Sequence, residues 1–305
     1  MANNRVMQEK NLQTVATQQR ILRATVKTGV YLFLILMAVI VLFPFYFMIL
    51  SSLKTLEEYR APRTTFFLVS GAHWENFFGG MGKTTAVFVN EDLDLWKLMG
   101  NTMYVGIMST GLSLIITVLS AFAFARLEFK GKNMLFGALM ATMMIPGELF
   151  TITNYQTVSQ LKWNNHFEAL IIPFLVSIFY IYLLRQNFMQ IPNELYLAAK
   201  VDGCGDLKYL WKVMIPLALP TLISITILKM MGAWNSYVWP RLVANDEAHR
   251  LITNGLRSAF TSADGTTDYP VQMAAVAVVS LPLFLVFVFL RKYIMKGVSR
   301  SGIKG

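Results

Sequence analysis

Lys229 stands out first, because it is a charged side chain inside an otherwise apolar run at 214–234. An ammonium at the centre of a bilayer costs about 2.5–3.5 kcal/mol on insertion scales and more in simulations. Two readings therefore stand side by side. Either Lys229 faces an aqueous solute path, or it reaches a carboxylate on a partner subunit or snorkels outward along Met230 and Met231. Near the same ends of the apolar runs are Asn101, Tyr104, Glu148, Asn235, Tyr237 and Trp239. Amide, carboxylate, hydroxyl and flat aromatic groups can hold a hydroxylated solute, although the commoner role of tyrosine and tryptophan here is an interfacial belt. Other chemistry is poorly served. The one cysteine, Cys204, and three scattered histidines, His73, His166 and His249, offer no disulfide and no metal cluster. No nucleophile and base sit at matching depth, so no catalytic residue is assigned. Gly79-Gly80-Met81-Gly82-Lys83-Thr84 imitates the end of a phosphate-binding loop, but the glycine required five residues before Gly82 is Phe77. The chain is expected to bind no cofactor and to hydrolyse no ATP.

A second constellation lies in the connection 185–216. After Pro192 begins a short helix of good helix formers with Ala198 and Ala199 at its middle, and Gly203 supplies the left-handed residue that stops it. A short amphipathic turn follows, with Leu207, Leu210, Trp211 and Met214 expected on one face. This is either an interfacial loop anchored by Lys208, Lys212 and Trp211, or a compact knob that seats in a groove of a cytoplasmic partner. Pro216 and Pro220, one turn apart, either start the following helix or hinge it.

The elements that hold these residues are membrane spans. Of the 305 residues 55% are hydrophobic and 14% charged, against about 25% charged in an ordinary soluble domain. A spanning helix needs roughly 20 apolar residues, and six stretches qualify: 29–50, 101–125, 134–152, 168–184, 214–234 and 269–290. The first is too long for a cleavable signal and lacks a cleavage site. The segments 1–28, 126–133, 185–213 and 291–305 hold 17 basic residues against five acidic ones, while the alternate connections, including 51–100, hold nine against twelve. Basic flanks mark the cytoplasmic side, so both termini are cytoplasmic and the net charge of +10 orients helices rather than binding nucleic acid. The aromatic connection 51–100 is expected to form a packed extracytoplasmic flap, and 1–28 a cytoplasmic helix or partly ordered arm.

In this order the motifs resemble the permease subunits of binding-protein-dependent ABC importers. Ala198, Ala199, Asp202, Gly203, Ile215, Pro216, Leu217 and Pro220 fall on the cytoplasmic coupling loop of that family. The family's glutamate position is Leu197 here, with Glu194 the nearest carboxylate; the ionic contact implied for that glutamate must be replaced by apolar docking or by Glu194. Ala125 to Lys132, Met144-Ile145-Pro146-Gly147, Leu183-Leu184-Arg185-Gln186, Trp234 to Pro240 and the closing Ile303-Lys304-Gly305 are similar to the carbohydrate branch, the smaller permease of maltose-type systems in particular. The resemblance implies an all-α, six-span fold of the type I importer class in the bacterial cell membrane. It also implies a second permease subunit as heterodimer partner, two ATPase subunits that bind ATP and magnesium, and an extracytoplasmic sugar-binding protein facing the loop 241–268. Lys229, Asn235, Tyr237, Trp239, Tyr104 and Glu148 then become candidates for a sugar path, with an anionic or polyol substrate such as a glycerol phosphate ester as the alternative. A secondary transporter would want clustered carboxylates inside the spans, and no such cluster is present.

Overall fold

The computed structural model describes residues 2–63, 65–80, 86–89, 94–259 and 267–299, with side chains from Arg23 to Leu256 and from Thr267 to Arg291 within those ranges. Met81 to Thr84 of the phosphate-loop look-alike, the carboxylates Glu91, Asp92 and Asp264, and the closing Arg300, Ile303, Lys304 and Gly305 lie outside the described residues. The chain divides into two compact units, Met1–His73 and Trp74–Gly305.

In the first unit, helix α1 (Ala2–Ser52) runs without a break from the polar arm through the apolar stretch 29–50. Helix α2 (Leu56–Arg60) is begun by Thr55, whose hydroxyl accepts from the Glu58 amide at 3.1 Å. Lys54 is buried and its ammonium donates to the Thr65 carbonyl at 2.6 Å and the Thr65 hydroxyl at 2.7 Å. Glu58 stands 4.0 Å from that ammonium and accepts from the Val69 amide at 3.1 Å. Polar bonds thus order the start of the expected flap, a usual device where an ammonium is buried.

The second unit holds α3 (Glu75–Phe78), α4 (Leu95–Arg126), α5 (Lys132–Thr142), α6 (Thr151–Gln160), α7 (Phe167–Ile171), α8 (Ile178–Met189), α9 (Asn193–Val201), α10 (Asp206–Tyr209), α11 (Ile215–Trp234), α12 (Val238–Val243), α13 (Ile252–Ala259) and α14 (Tyr269–Ser299). No strand forms among the described residues. Helix α4 packs on both α8 and α11, and α11 packs on α14. The buried side of α4 is a stripe of small residues, Thr102, Gly106, Ser109, Ser113 and Thr117, which lets helix backbones approach where lipid supplies no hydrophobic drive. A side chain at Gly106 would place its Cβ 2.7 Å from the Met230 sulfur of α11.

Among the described residues four segments are long and apolar enough to cross a membrane: Arg23–Ser52, Leu95–Arg126, Asp206–Trp234 and Tyr269–Arg291. The expected third and fourth spans are not single helices. Lys132–Thr142 and Gly147–Gln160 meet at 83°, and Phe167–Phe174 and Ile178–Met189 at 45°, so the described residues hold four to six segments of spanning length according to how each bent pair is counted. Proline explains the first break: Pro146 lacks an amide donor and disfavours a helical conformation in the residue before it. The second break falls at 175–177, beyond Pro173, which sits within the turn Ile172–Phe174 and follows a helical Ile172.

Candidate functional site

Helix α9 is fastened along one side and open along the other. Gly203 adopts φ 71°, and beyond it the amides of Gly203 and Cys204 bond back to the carbonyls of Lys200 at 3.0 Å and Ala199 at 2.8 Å. This closes the helix by the left-handed cap that only glycine adopts cheaply. On the fastened side the Tyr196 hydroxyl donates to Asp206 Oδ1 at 2.7 Å, and Lys200 Nζ lies 2.7 Å from the same oxygen. The Tyr196 ring packs on that of the buried Tyr209, 5.1 Å between centroids. The bond to Asp206 holds the Lys200 ammonium above its ordinary range, while burial, followed by the bond to that carboxylate, pushes the Tyr196 phenol up. Arg126, at the end of α4, secures the base: its guanidinium donates to the carbonyls of Phe188 at 3.0 Å and Ile191 at 2.5 Å, and to Asn193 Oδ1 at 3.2 Å.

The open side carries Glu194, Leu197, Ala198 and Val201, all exposed and spaced to share one helical face. Leu197 is 56% and Val201 88% exposed, an apolar pair that nothing in this chain covers among the described residues. Asp202 is exposed beside them, and Ala199 is half-buried. Ile215 is half-buried and Pro216 exposed where α11 continues directly from the helical turn before it, within the unbroken helix Asp206–Trp234, so Pro216 removes one amide donor from the helix. Pro220 lies inside α11, with the Ser224 hydroxyl donating to its carbonyl at 2.9 Å.

The amphipathic turn after Gly203 departs from the expected pattern. Leu210 and Met214 are fully buried, as is Tyr209, but Leu207 and Trp211 are 62% and 65% exposed. Leu210–Met214 is a single π-helical turn, whose wider repeat shifts the register so that the four residues do not share a face.

The polar candidates of the solute path divide among separate places. Lys229 and Trp239 line one cavity of about 240 Å³ together with Ser109, Phe174, Tyr180 and Ser236. The Lys229 ammonium donates to the Phe174 carbonyl, at the break between the two halves of the fourth apolar segment, where a carbonyl has lost its helical donor. Among the described residues no carboxylate pairs with Lys229, and it is the sole charged member of the lining. Trp239 is buried, its indole donating to the Ala169 carbonyl at 2.8 Å and its ring edge-on to Phe174 at 5.4 Å. Asn235 and Tyr237 line a second, more open cavity of about 480 Å³ with Thr253 and Gln272. Tyr104 is exposed and meets Phe167 edge-on at 4.9 Å. Glu148 is exposed in the single turn Gly147–Phe150 between α5 and α6. Asn101 ties loop backbone, donating to the carbonyls of Ala248 at 2.8 Å and Arg250 at 3.0 Å. Ser109, Tyr180 and Ser236 join Lys229 in this cavity; Ser236 lies seven residues on, just past the end of α11, close enough along the chain to be considered, but nothing local marks the other two.

Residues 113–300 match the model of a family described as binding-protein-dependent transport system inner membrane component. The arabinooligosaccharides transport system permease protein AraQ of Halalkalibacterium halodurans is 29% identical over 269 residues, 88% of this chain and 93% of that protein. The sn-glycerol-3-phosphate transport system permease protein UgpE of Yersinia enterocolitica is 26% identical over 277 residues, 89% of this chain and 95% of that one. The fold superposes on a chain from a crystal structure of a bacterial ABC transporter involved in the import of the acidic polysaccharide alginate, with a TM-score of 0.74 at 22% identity, covering 86% of this chain and 94% of that chain. An all-helical chain of long apolar segments, matched to this family over most of its length, belongs to the binding-protein-dependent transport system inner membrane components, the permease subunits of ABC importers.

Proposed function

We propose that this chain forms half of the translocation pore of an ATP-driven sugar importer, taking an oligosaccharide, and that the segment 194–216 transmits ATPase closure to the spans. In this reading it crosses the membrane six times with both termini cytoplasmic, each bent pair counting as one crossing. A second permease subunit completes the pore, two ATPase subunits bind ATP and magnesium beneath it, and an extracytoplasmic sugar-binding protein delivers the solute. The observation that carries the proposal is the open face of α9. Glu194, Leu197, Ala198 and Val201 are exposed together while Tyr196 and Lys200 fix the other side to Asp206 and Tyr209. A helix held firmly on one side and bare on the other suits a push received on the bare side. With Leu197 where the family has a glutamate, the contact is apolar, and Glu194 one turn earlier supplies the charge.

The choice of sugar is supported by the similarity to an arabinooligosaccharide permease. A second reading, an anionic or polyol substrate such as a glycerol phosphate ester, is favoured by the presence of Lys229 in the first cavity and by the similarity to a glycerol-3-phosphate permease. Chemical crosslinking tests the coupling face. Since Cys204 is the single cysteine, a Cys204→Ser background carrying Leu197→Cys should crosslink to the ATPase subunit when the complex is assembled, and Thr226→Cys should not. Crosslinking of neither would contradict the assignment of the face.

A further inference from the structure

We infer that Lys229 is an oxyanion-recognition residue held in reserve on the Phe174 carbonyl, so that the solute this chain passes is a sugar or polyol carrying a carboxylate or phosphate. The inference rests on the import reading and narrows its substrate. Three observations combine. The ammonium is the sole charged group lining a cavity whose other polar liners, Ser109, Tyr180 and Ser236, are neutral hydroxyls. No carboxylate among the described residues neutralises it. Its one described partner is a carbonyl at a helix break, which uses one of three ammonium protons and leaves the positive charge uncompensated. A neutral core would gain nothing from such a charge, since burying an ammonium without a counter-ion is unfavourable. An arriving oxyanion supplies the missing charge.

Size agrees with this. About 240 Å³ is below the roughly 300–1,000 Å³ of pockets that enclose a drug-sized ligand, so the cavity takes one acidic group or one ring rather than a whole oligosaccharide. Because the same ammonium caps the break between Phe167–Phe174 and Ile178–Met189, an oxyanion that draws Lys229 away releases the Phe174 carbonyl. Occupancy is thereby linked to the geometry of the bent segment.

The test uses the whole complex in phosphatidylcholine nanodiscs, with its ATPase subunits and binding protein, and measures stimulated ATP hydrolysis against three soluble probes: glycerol 3-phosphate, trigalacturonate and neutral arabinotriose. Wild type should respond to one oxyanion probe, and which one tells phosphate from carboxylate. Lys229→Gln keeps a donor for the Phe174 carbonyl but not the charge, and should raise the half-saturating concentration of that probe by about tenfold or more, the scale of a lost charge-assisted bond. Lys229→Arg should restore it to within about threefold. Response to arabinotriose alone, or a Lys229→Gln complex indistinguishable from wild type, would overturn the inference and leave the import reading standing. An equal effect of Lys229→Gln on every probe, as a lipid-facing or purely structural lysine would give, would also overturn it. A complex that none of the probes stimulates would count against the import reading itself.

Discussion

Arg126 and Arg185 close each other's helices. Arg126, the last residue of α4, donates to the carbonyls of Phe188 at the end of α8 and of Ile191 just beyond it, and Arg185 in α8 donates from Nε to the Phe124 carbonyl in the last turn of α4 at 3.1 Å. The Arg185 guanidinium also lies 4.1 Å from the centre of the Phe136 ring of α5. Terminal carbonyls without a helical partner need such donors, and the exchange fixes the platform from which α9 departs. Arg126→Lys keeps the charge but loses the planar fork that reaches several acceptors. It should lower the stability of the purified protein by roughly 1.5–3 kcal/mol, the worth of a hydrogen bond from a charged group, read as a fall in the thermal midpoint in detergent. Combined with Arg185→Lys, the losses should be non-additive, since the two side chains act on one junction.

Gly203 gives a cleaner separation of causes. Its φ of 71° lies in the left-handed region, and a Cβ built there meets nothing within 4 Å. The demand is therefore conformational and not steric. Gly203→Ala and Gly203→Leu should cost nearly the same, about 1–2 kcal/mol, while Gly203→Asn should be milder. Co-purification with the ATPase subunit and uptake in vesicles check this; tolerance of alanine with failure of leucine would point to a neighbour that the structure does not contain.

The anchoring of α9 has a definite pH sign. Lys200 is held above the ordinary lysine value by its bond to Asp206, so its contribution is complete below that ordinary value and is lost as the pH rises through the raised one. Hydrogen exchange of the α9 amides, corrected for intrinsic rates, should stay constant from neutral to mildly alkaline solution and quicken only in the lysine range. Asp206→Asn should quicken it at every pH.

Much of the segment 185–216 is legible in sequence. Pro192 before α9, the helix formers through Val201 and the glycine after Asp202 are local signals, and each produces the expected local structure. The misses are those that local signals do not carry. Hydropathy treats 134–152 and 168–184 as unbroken because apolar content is blind to direction; Pro146 marks the first break, while the second, at 175–177, carries no such residue. Leu207 and Trp211 fit a 3.6-residue period on paper, and a π turn at Leu210–Met214 defeats that period. The grouping of Lys229 with Ser109, Tyr180 and Trp239 depends on how α4, α8, α11 and α12 pack, which spacing along one chain does not encode.

The closeness of α4 to α11 yields a compensation test. A Cβ on Gly106 would sit 2.7 Å from Met230 Sδ and 2.9 Å from Met230 Cε, so Gly106→Ala must displace the flexible end of that side chain. The single change should destabilise by about 1 kcal/mol or more, within the range for overpacking. Met230→Ala in the same chain should recover part of the loss. A double variant that is less stable than the sum of the singles would contradict the contact.

The most direct test of the central claim is ATP-dependent uptake by proteoliposomes containing the permease pair and ATPase, supplied with loaded binding protein, for wild type and for the Leu197→Lys, Val201→Lys variant. The exposed apolar face predicts robust wild-type uptake and its loss in the variant, with the permease pair still assembled. Uptake at the wild-type rate with lysines on that face would show that ATPase closure reaches the spans by another route.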